Sequence, residues 1–244
     1  MELLPHQISL WTIHCPPQSE WERVEACLGD QEREKAARFH FQVDRYRYGF
    51  FHQTVRSLLA SVLPSPVRPE QLHFDTGEFG KPTLRDFPNL HFNLSHSKDL
   101  ASLAMCTAGP VGVDLEMFDS EFPVREIARE YFVGGERTAI DHAPDDSERT
   151  RRFFQIWTAK EAVMKVTGLG MNLEPRSIEL SLDPISANPE GFHYIAGFPT
   201  ASDDWKIHVQ NLESGAILSL VYPSNVTEIL FHPRATLPPW GLMD

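Results

Sequence analysis

The sequence predicts an α+β protein built as two similar lobes, on three observations. Strand-like alternation and helical periodicity are interspersed along all 244 residues. Each half runs in the same order: a strand, helices, one long helix, then several strands. The halves meet at the turn Ala108-Gly109-Pro110. Residue identity between the halves is too weak to define a repeat. The expected division is an N-terminal lobe over 1–111 and a C-terminal lobe over 112–244, with the boundary near Gly109–Gly112. Such a boundary is a natural place for a ligand cleft.

Taken in order, Ile8 to His14 alternates as a strand and stops at Pro16-Pro17. Glu20 to Phe39 is charged with helical period. Asp44 to Leu63 places Phe50, Phe51, Val55, Leu58, Leu59 and Val62 at helical spacing, and Pro64 and Pro66 end it. Strands are expected at Leu72–Asp75, His91–Leu94, Ala101–Cys106 and Val111–Met117. Val124–Tyr131 and Glu136–Asp141 read as short helices. Thr150 to Thr167 reads as a long helix closed by Gly168 and Gly170. Ser177–Leu182, Phe192–Ile195, Trp205–Gln210 and Ala216–Tyr222 read as strands. The proline-rich tail from Pro223 reads as irregular.

Composition narrows the function classes. At 41% hydrophobic and 23% charged, with 16 Phe and 5 Trp, the chain can form a real core and is not a disordered segment. A net charge of −12 argues against a nucleic-acid binder, which needs a basic surface. The charge is uneven, however. Between Gln31 and Arg56 stand Arg33, Lys35, Arg38, Arg45, Arg47 and Arg56, against Glu32, Glu34 and Asp44. This basic island suits a compact anionic ligand, or equally a solvated helix face. Cys15, Cys27 and Cys106 are odd in number and far apart, forming neither a disulfide framework nor a zinc site, so a reducing cytoplasm is expected. The start MELLPHQISLW lacks the basic region and apolar core of a signal peptide. No apolar run approaches the roughly 20 residues needed to span a bilayer.

Four segments carry candidate chemistry. In Val111-Gly112-Val113-Asp114-Leu115-Glu116, strand geometry projects Asp114 and Glu116 from one face while Val113 and Leu115 face the core. Two adjacent carboxylates repel unless a cation joins them, and hard oxygen ligands suit Mg2+. The same alternation describes any strand with one solvated face. In Phe153–Lys165, Trp157, Glu161 and Lys165 line one helix face at i, i+4 spacing. Glu161 can complete a three-carboxylate site with Lys165 one turn away, or the two can form an ordinary surface pair. Asn93-Leu94-Ser95-His96-Ser97 crowds polar groups after a strand, as a ligand site or a turn does. Gly80-Lys81-Pro82 is a tight turn that carries a lysine.

Together and in this order, GKP, FNLSHS, GVDLE and WTAKEAVMK resemble the signature of the 4'-phosphopantetheinyl transferase superfamily. The length resembles its larger, surfactin-synthetase-activating (Sfp) type. The resemblance covers about Gly29 to Gly170, and the outer segments match in layout only. It implies a pseudo-dimer of two α+β lobes, each a small antiparallel sheet packed with a long helix, in a chain that is active as a monomer.

It also implies roles for particular residues. Asp114, Glu116 and Glu161 match magnesium ligands. Lys165 matches a lysine near the coenzyme A phosphates, with Lys160 beside it as a second candidate. Lys81, Ser95 and His96, with their neighbours Pro82 and Asn93, match the grip on the nucleotide end, and Arg47 is expected as a further phosphate contact. Glu32 departs from the pattern, standing where some relatives carry a basic residue. The implied reaction moves the phosphopantetheine arm of coenzyme A onto a serine of an apo acyl or peptidyl carrier protein, releasing 3',5'-ADP. Glu161 is the expected base and Lys165 the stabiliser of the departing phosphate. A different Mg2+-dependent phosphohydrolase and a binding-only relative are the alternatives.

Overall fold

The computed structural model describes residues 3–16, 21–26, 28–183, 189–194 and 204–235. Strand β1 (Gln7–His14) comes first. Helices α1 (Trp21–Ala26) and α2 (Asp30–Ala37) replace the single helix expected over Glu20 to Phe39. The break falls at Gly29, whose N–H donates to Glu32 Oε2 at 2.8 Å and starts α2. Helix α3 (Gln42–Val62) ends just before Pro64. Strands β2 (Phe74–Thr76) and β3 (Pro82–Leu84) form a hairpin, so the Gly80-Lys81-Pro82 turn is its return. Gly80 takes φ +89° there, a conformation that favours glycine.

Strands β4 (His91–Ser97), β5 (Leu100–Cys106) and β6 (Gly112–Met117) follow. Helices α4 (Val124–Tyr131) and α5 (Gly134–Asp141) lead into α6 (Asp146–Thr167). Asp145 caps α6 by accepting the Glu148 N–H at 2.8 Å, and Gly168 ends it in the left-handed region at φ +75°. Strands β7 (Ile178–Leu182), β8 (Pro189–Tyr194), β9 (Trp205–Asn211) and β10 (Ala216–Pro223) come next. Ile195, read as the end of a strand, lies outside the described residues.

The tail is not irregular throughout. Residues Glu228–Ala235 form β11, which runs parallel to β1 from Gln7 opposite Glu228 to Ile13 opposite Ala235. Pro233 is tolerated because β11 is the outermost strand, and the ladder shifts register between Thr12 and Ile13 beside it.

Two sheets organise the molecule, one ordered β11-β1-β5-β4 and the other β6-β10-β9. Both are antiparallel except for the β1–β11 pair. Alternation along the strands builds the layers. Ile8, Leu10, Ala104 and Cys106 of the first sheet pack against Val113, Leu115, Leu218 and Leu220 of the second. The opposite face of the first sheet, with Ile13, Leu103 and Met105, receives Phe50, Phe51, Val55 and Leu59 of α3. The opposite face of the second, with Ile217 and Val221, receives Phe154, Val163 and Val166 of α6. The layers are four, α3, the first sheet, the second sheet and α6, and β11 crosses back from the second half of the chain to edge the first sheet. Among the described residues no helix is long and apolar enough to cross a membrane.

Candidate active site

The site grows from the junction of the two sheets. Edge strands β4 and β6 lie side by side, and side chains of β4 serve as the rungs between them. Asn93 Oδ1 accepts the Val113 N–H at 2.8 Å, Ser95 Oγ the Leu115 N–H at 3.3 Å, and Ser97 Oγ the Met117 N–H at 3.2 Å. The period of two on both strands makes this possible, because residues i, i+2 and i+4 of one edge meet those of the other. Gly112 brings β6 against α6. A Cβ there would lie 2.0 Å from the Ala162 carbonyl oxygen and 2.6 Å from the Val166 nitrogen, so only glycine permits the approach. Asp114 and Glu116 are thereby carried alongside Glu161 and Lys165.

Asp114 is buried, with 4% of its surface exposed. Its Oδ1 accepts from Lys165 Nζ at 2.7 Å and from Ser95 Oγ at 2.8 Å. Glu116 accepts from Ser97 Oγ at 2.8 Å. Glu161 is pushed up to about 7, by burial first and then by the charge of Asp114, with Lys165 opposing and Glu116 adding. Burial also raises Glu116, against the Ser97 hydrogen bond and with the Asp114 charge. Three carboxylates therefore share a half-buried space, and of the described cations only Lys165 ion-pairs with any of them.

These residues fit a divalent cation. Asp114 Oδ2 is buried and has no hydrogen-bond partner, which is costly unless something else meets it. Glu161 and Glu116 are both held toward their neutral forms, the state that a bound cation relieves. The donors are all carboxylate oxygens, the hard ligands that Mg2+ takes. As placed, no group of three or more His, Cys, Asp or Glu among the described residues could hold a metal ion. The expected three-carboxylate cluster is thus open here, with Lys165 on Asp114 Oδ1.

Counting donors sorts the lysines. Lys165 Nζ makes two hydrogen bonds, to Asp114 Oδ1 and to Ser95 Oγ at 2.9 Å, so one N–H remains for a ligand. Lys81 Nζ makes three, to the carbonyls of Val111 (3.1 Å), Lys165 (2.8 Å) and Val166 (3.1 Å). It caps the end of α6 and has no donor left for a phosphate. Burial lowers it to about 8. Lys160 Nζ is also saturated, by Glu136 at 2.9 Å and by the carbonyls of Pro175 and Ile178. Its side chain and that of Glu136 are 1% and 0% exposed, so Lys160 is committed to the core beneath α6.

Two β4 residues expected on the nucleotide are likewise committed elsewhere. The Ser95 hydroxyl donates to Asp114 and accepts from Lys165 and Leu115, using its full capacity. Asn93 is buried at the strand junction. Pro82 lies exposed on β3, apart from these contacts. His96 and Arg47 do come together. Burial lowers His96, followed by the positive charges of His52, Lys165, Lys35 and Arg47. Arg47 also pairs with Asp99 at 2.6 Å and Asp44 at 3.2 Å.

Glu32 fits its place physically, being paired with the buried Arg56 at 2.7 Å.

Comparison with known proteins decides the class. Residues 110–217 match the 4'-phosphopantetheinyl transferase superfamily, and residues 11–108 match the 4'-phosphopantetheinyl transferase N-terminal family. The chain is 34% identical over 188 residues to the 4'-phosphopantetheinyl transferase HetI of Nostoc sp., covering 75% of this chain and 78% of that protein. The chain belongs to the 4'-phosphopantetheinyl transferase superfamily. It is also 32% identical over 166 residues to the transferase Sfp of Bacillus subtilis, covering 68% and 71%. A more distant relative is the L-aminoadipate-semialdehyde dehydrogenase-phosphopantetheinyl transferase of Rattus norvegicus, 26% identical over 190 residues and covering 72% and 61%.

This transferase is therefore an enzyme that moves phosphopantetheine onto carrier proteins, in a family that takes coenzyme A as substrate. The phosphohydrolase and binding-only alternatives fall away. Sequence reasoning did not single out Ser97, Lys35 or His52. Ser97 continues the period-two series of Asn93 and Ser95, and Lys35 stands inside the basic island, so both carried a signal. His52 carried none, because its partner Glu32 comes from another helix.

Proposed function

We propose that this transferase carries 4'-phosphopantetheine from coenzyme A to the serine of an apo acyl or peptidyl carrier, releasing 3',5'-ADP, at the junction of lobes 1–111 and 112–244. The observation that carries the assignment is the pairing of an unpartnered, buried Asp114 Oδ2 with a Glu161 raised to about 7. Asp114, Glu116 and Glu161 would hold Mg2+, which when bound supplies positive charge to pyrophosphate oxygens and offsets the charge of the leaving group.

Glu161 takes the proton of the serine hydroxyl, directly or through water. The freed serine oxygen attacks the phosphorus bearing pantetheine, and the bond to the 3',5'-ADP oxygen breaks. Lys165 turns its remaining N–H to the phosphate as charge grows there, so it acts chiefly on turnover. Ser95 and Ser97 hold Asp114 and Glu116 in place. Arg47 and His96, with Lys35 exposed beside them, meet the phosphates of the nucleotide end. In phosphoryl transfer such positioning and charge neutralisation supply most of the catalysis.

Because one chain contributes both halves of the junction, the active species is a monomer. Cys15 and Cys106 are free, as a cytoplasmic protein requires. The decisive experiment mixes the protein, coenzyme A, Mg2+ and an apo-carrier and weighs the carrier by mass spectrometry. Loading by the wild type and none by Asp114→Ala or Glu161→Ala is expected. Near-normal loading by either folded variant removes the site from this junction.

A further inference from the structure

Glu32 is an acid set within the basic island, and three donors converge on it. Its Oε2 accepts from Arg56 Nε at 2.7 Å and from the Gly29 N–H at 2.8 Å, while Oε1 faces His52 Nδ1 at 3.3 Å. Burial works against its charge, yet the His52 hydrogen bond, the Arg56 charge and the Gly29 N–H hold its carboxyl below the usual carboxylate range. Arg56 cannot serve a ligand, because its side chain is 6% exposed and also donates to the carbonyls of Pro69 and Leu72. The His52 side chain is 33% exposed. Its ring lies 4.1 Å from that of Tyr48, over which Lys35 Nζ sits at 5.3 Å. The preceding residue on α3, Phe51, stacks against His96 at 5.5 Å. His52 is also the strongest of the four positive charges bearing on His96.

We propose that His52, held through Nδ1 by Glu32, presents its Nε2–H as a further contact to the phosphates at the nucleotide end of coenzyme A. This rests on the reading that the nucleotide lies against Arg47 and His96. Glu32 then works through His52, as a positioning residue that converts an acidic position into a cationic one. With Nδ1–H turned to the Glu32 carboxylate, any further proton the ring takes up goes to Nε2, where an arriving phosphate oxygen accepts its hydrogen bond. The groups facing His52 are Glu32 and Lys35 from α2, Tyr48 and Arg56 from α3, and His96 from β4. Arg47 of α3 and Lys165 of α6 bear on the same space. Glu32 is the only acid among them, so the imidazolium gains most when a phosphate is bound. Because a bound phosphate favours the protonated ring, nucleotide binding is expected to be coupled to the uptake of a proton.

Calorimetric titration of the full chain with 3',5'-ADP, in a chelator at pH 6 and pH 8 and in buffers of different ionisation enthalpy, tests this. The wild type should bind several-fold more tightly at pH 6 and take up a proton. His52→Gln should bind about tenfold more weakly at pH 6, as expected for a lost charge-assisted contact, and lose most of the pH dependence. His52→Lys should bind well at both pH values, and it decides the matter if circular dichroism shows His52→Gln unfolded. Arg47→Ala should weaken binding at both. If His52→Gln keeps wild-type affinity and proton uptake while Arg47→Ala is impaired, the role of His52 is overturned and the nucleotide site stands. A His52→Lys that follows the wild-type pH dependence also overturns it. If neither His52→Gln nor Arg47→Ala changes binding, the nucleotide lies elsewhere and both readings fall.

Discussion

Replacing Glu161 by Gln is expected to move stability and activity in opposite directions. The carboxyl is raised from an ordinary 4.5 to about 7 because the folded protein buries it beside Asp114 and Glu116. At about 1.36 kcal/mol per pH unit, a rise of about 2.5 units is at most about 3.4 kcal/mol. The side chain is only half-buried, so screening by water reduces this to about 1–2 kcal/mol. The sign follows from proton binding: the folded state holds the proton more tightly than the unfolded chain. The penalty is absent below about pH 4.5, grows through the window to about 7, and is complete above it. Metal-free wild type should therefore lose stability as pH rises across that window, and Glu161→Gln should not. In a chelator at pH 8 the variant should melt about 2–8 °C higher, given about 2–4 °C per kcal/mol for a chain of this size. At pH 4.5 the two should melt together. Carrier loading with Mg2+ restored should be abolished in the variant. A variant no more stable than wild type at pH 8 would refute the repulsion argument, whatever its activity.

Gly112→Ala should cost at least about 1–3 kcal/mol in urea unfolding, because the added methyl meets the backbone of α6, and should depress turnover through Asp114. Lys160→Met leaves Glu136 buried and unpaired, so a loss of about 3–5 kcal/mol is expected, with an unchanged Michaelis constant for coenzyme A in the folded protein. Ser95→Ala should lower turnover with little change in that constant, since Ser95 holds Asp114 and Lys165; the reverse pattern would return it to the nucleotide. Light scattering of the active protein should give the mass of one chain.

The motifs were legible because each is local. GVDLE needs only period two to set its carboxylates on one face, and WTAKEAVMK only period 3.6 to align Glu161 with Lys165. What failed to be legible is what distant backbone does to identical side chains. Lys81, Lys160 and Lys165 are one residue type in three motif positions, yet folding surrounds the first two with enough acceptors to use every donor and leaves the third with one free. The NLSHS segment divides for a related reason: Asn93, Ser95 and Ser97 point to the β6 edge and His96 to the basic island. A polar strand beside a cleft has two faces, and sequence does not say which one meets the ligand. Strand β11 was hidden because its partner, β1, stands at the other end of the chain and Pro233 argues locally against a strand. In each case the motif located the site, while the division of labour within it depended on hydrogen-bond capacity. A residue whose donors and acceptors are already satisfied by the protein positions the site, and only one with capacity left over can act on the substrate.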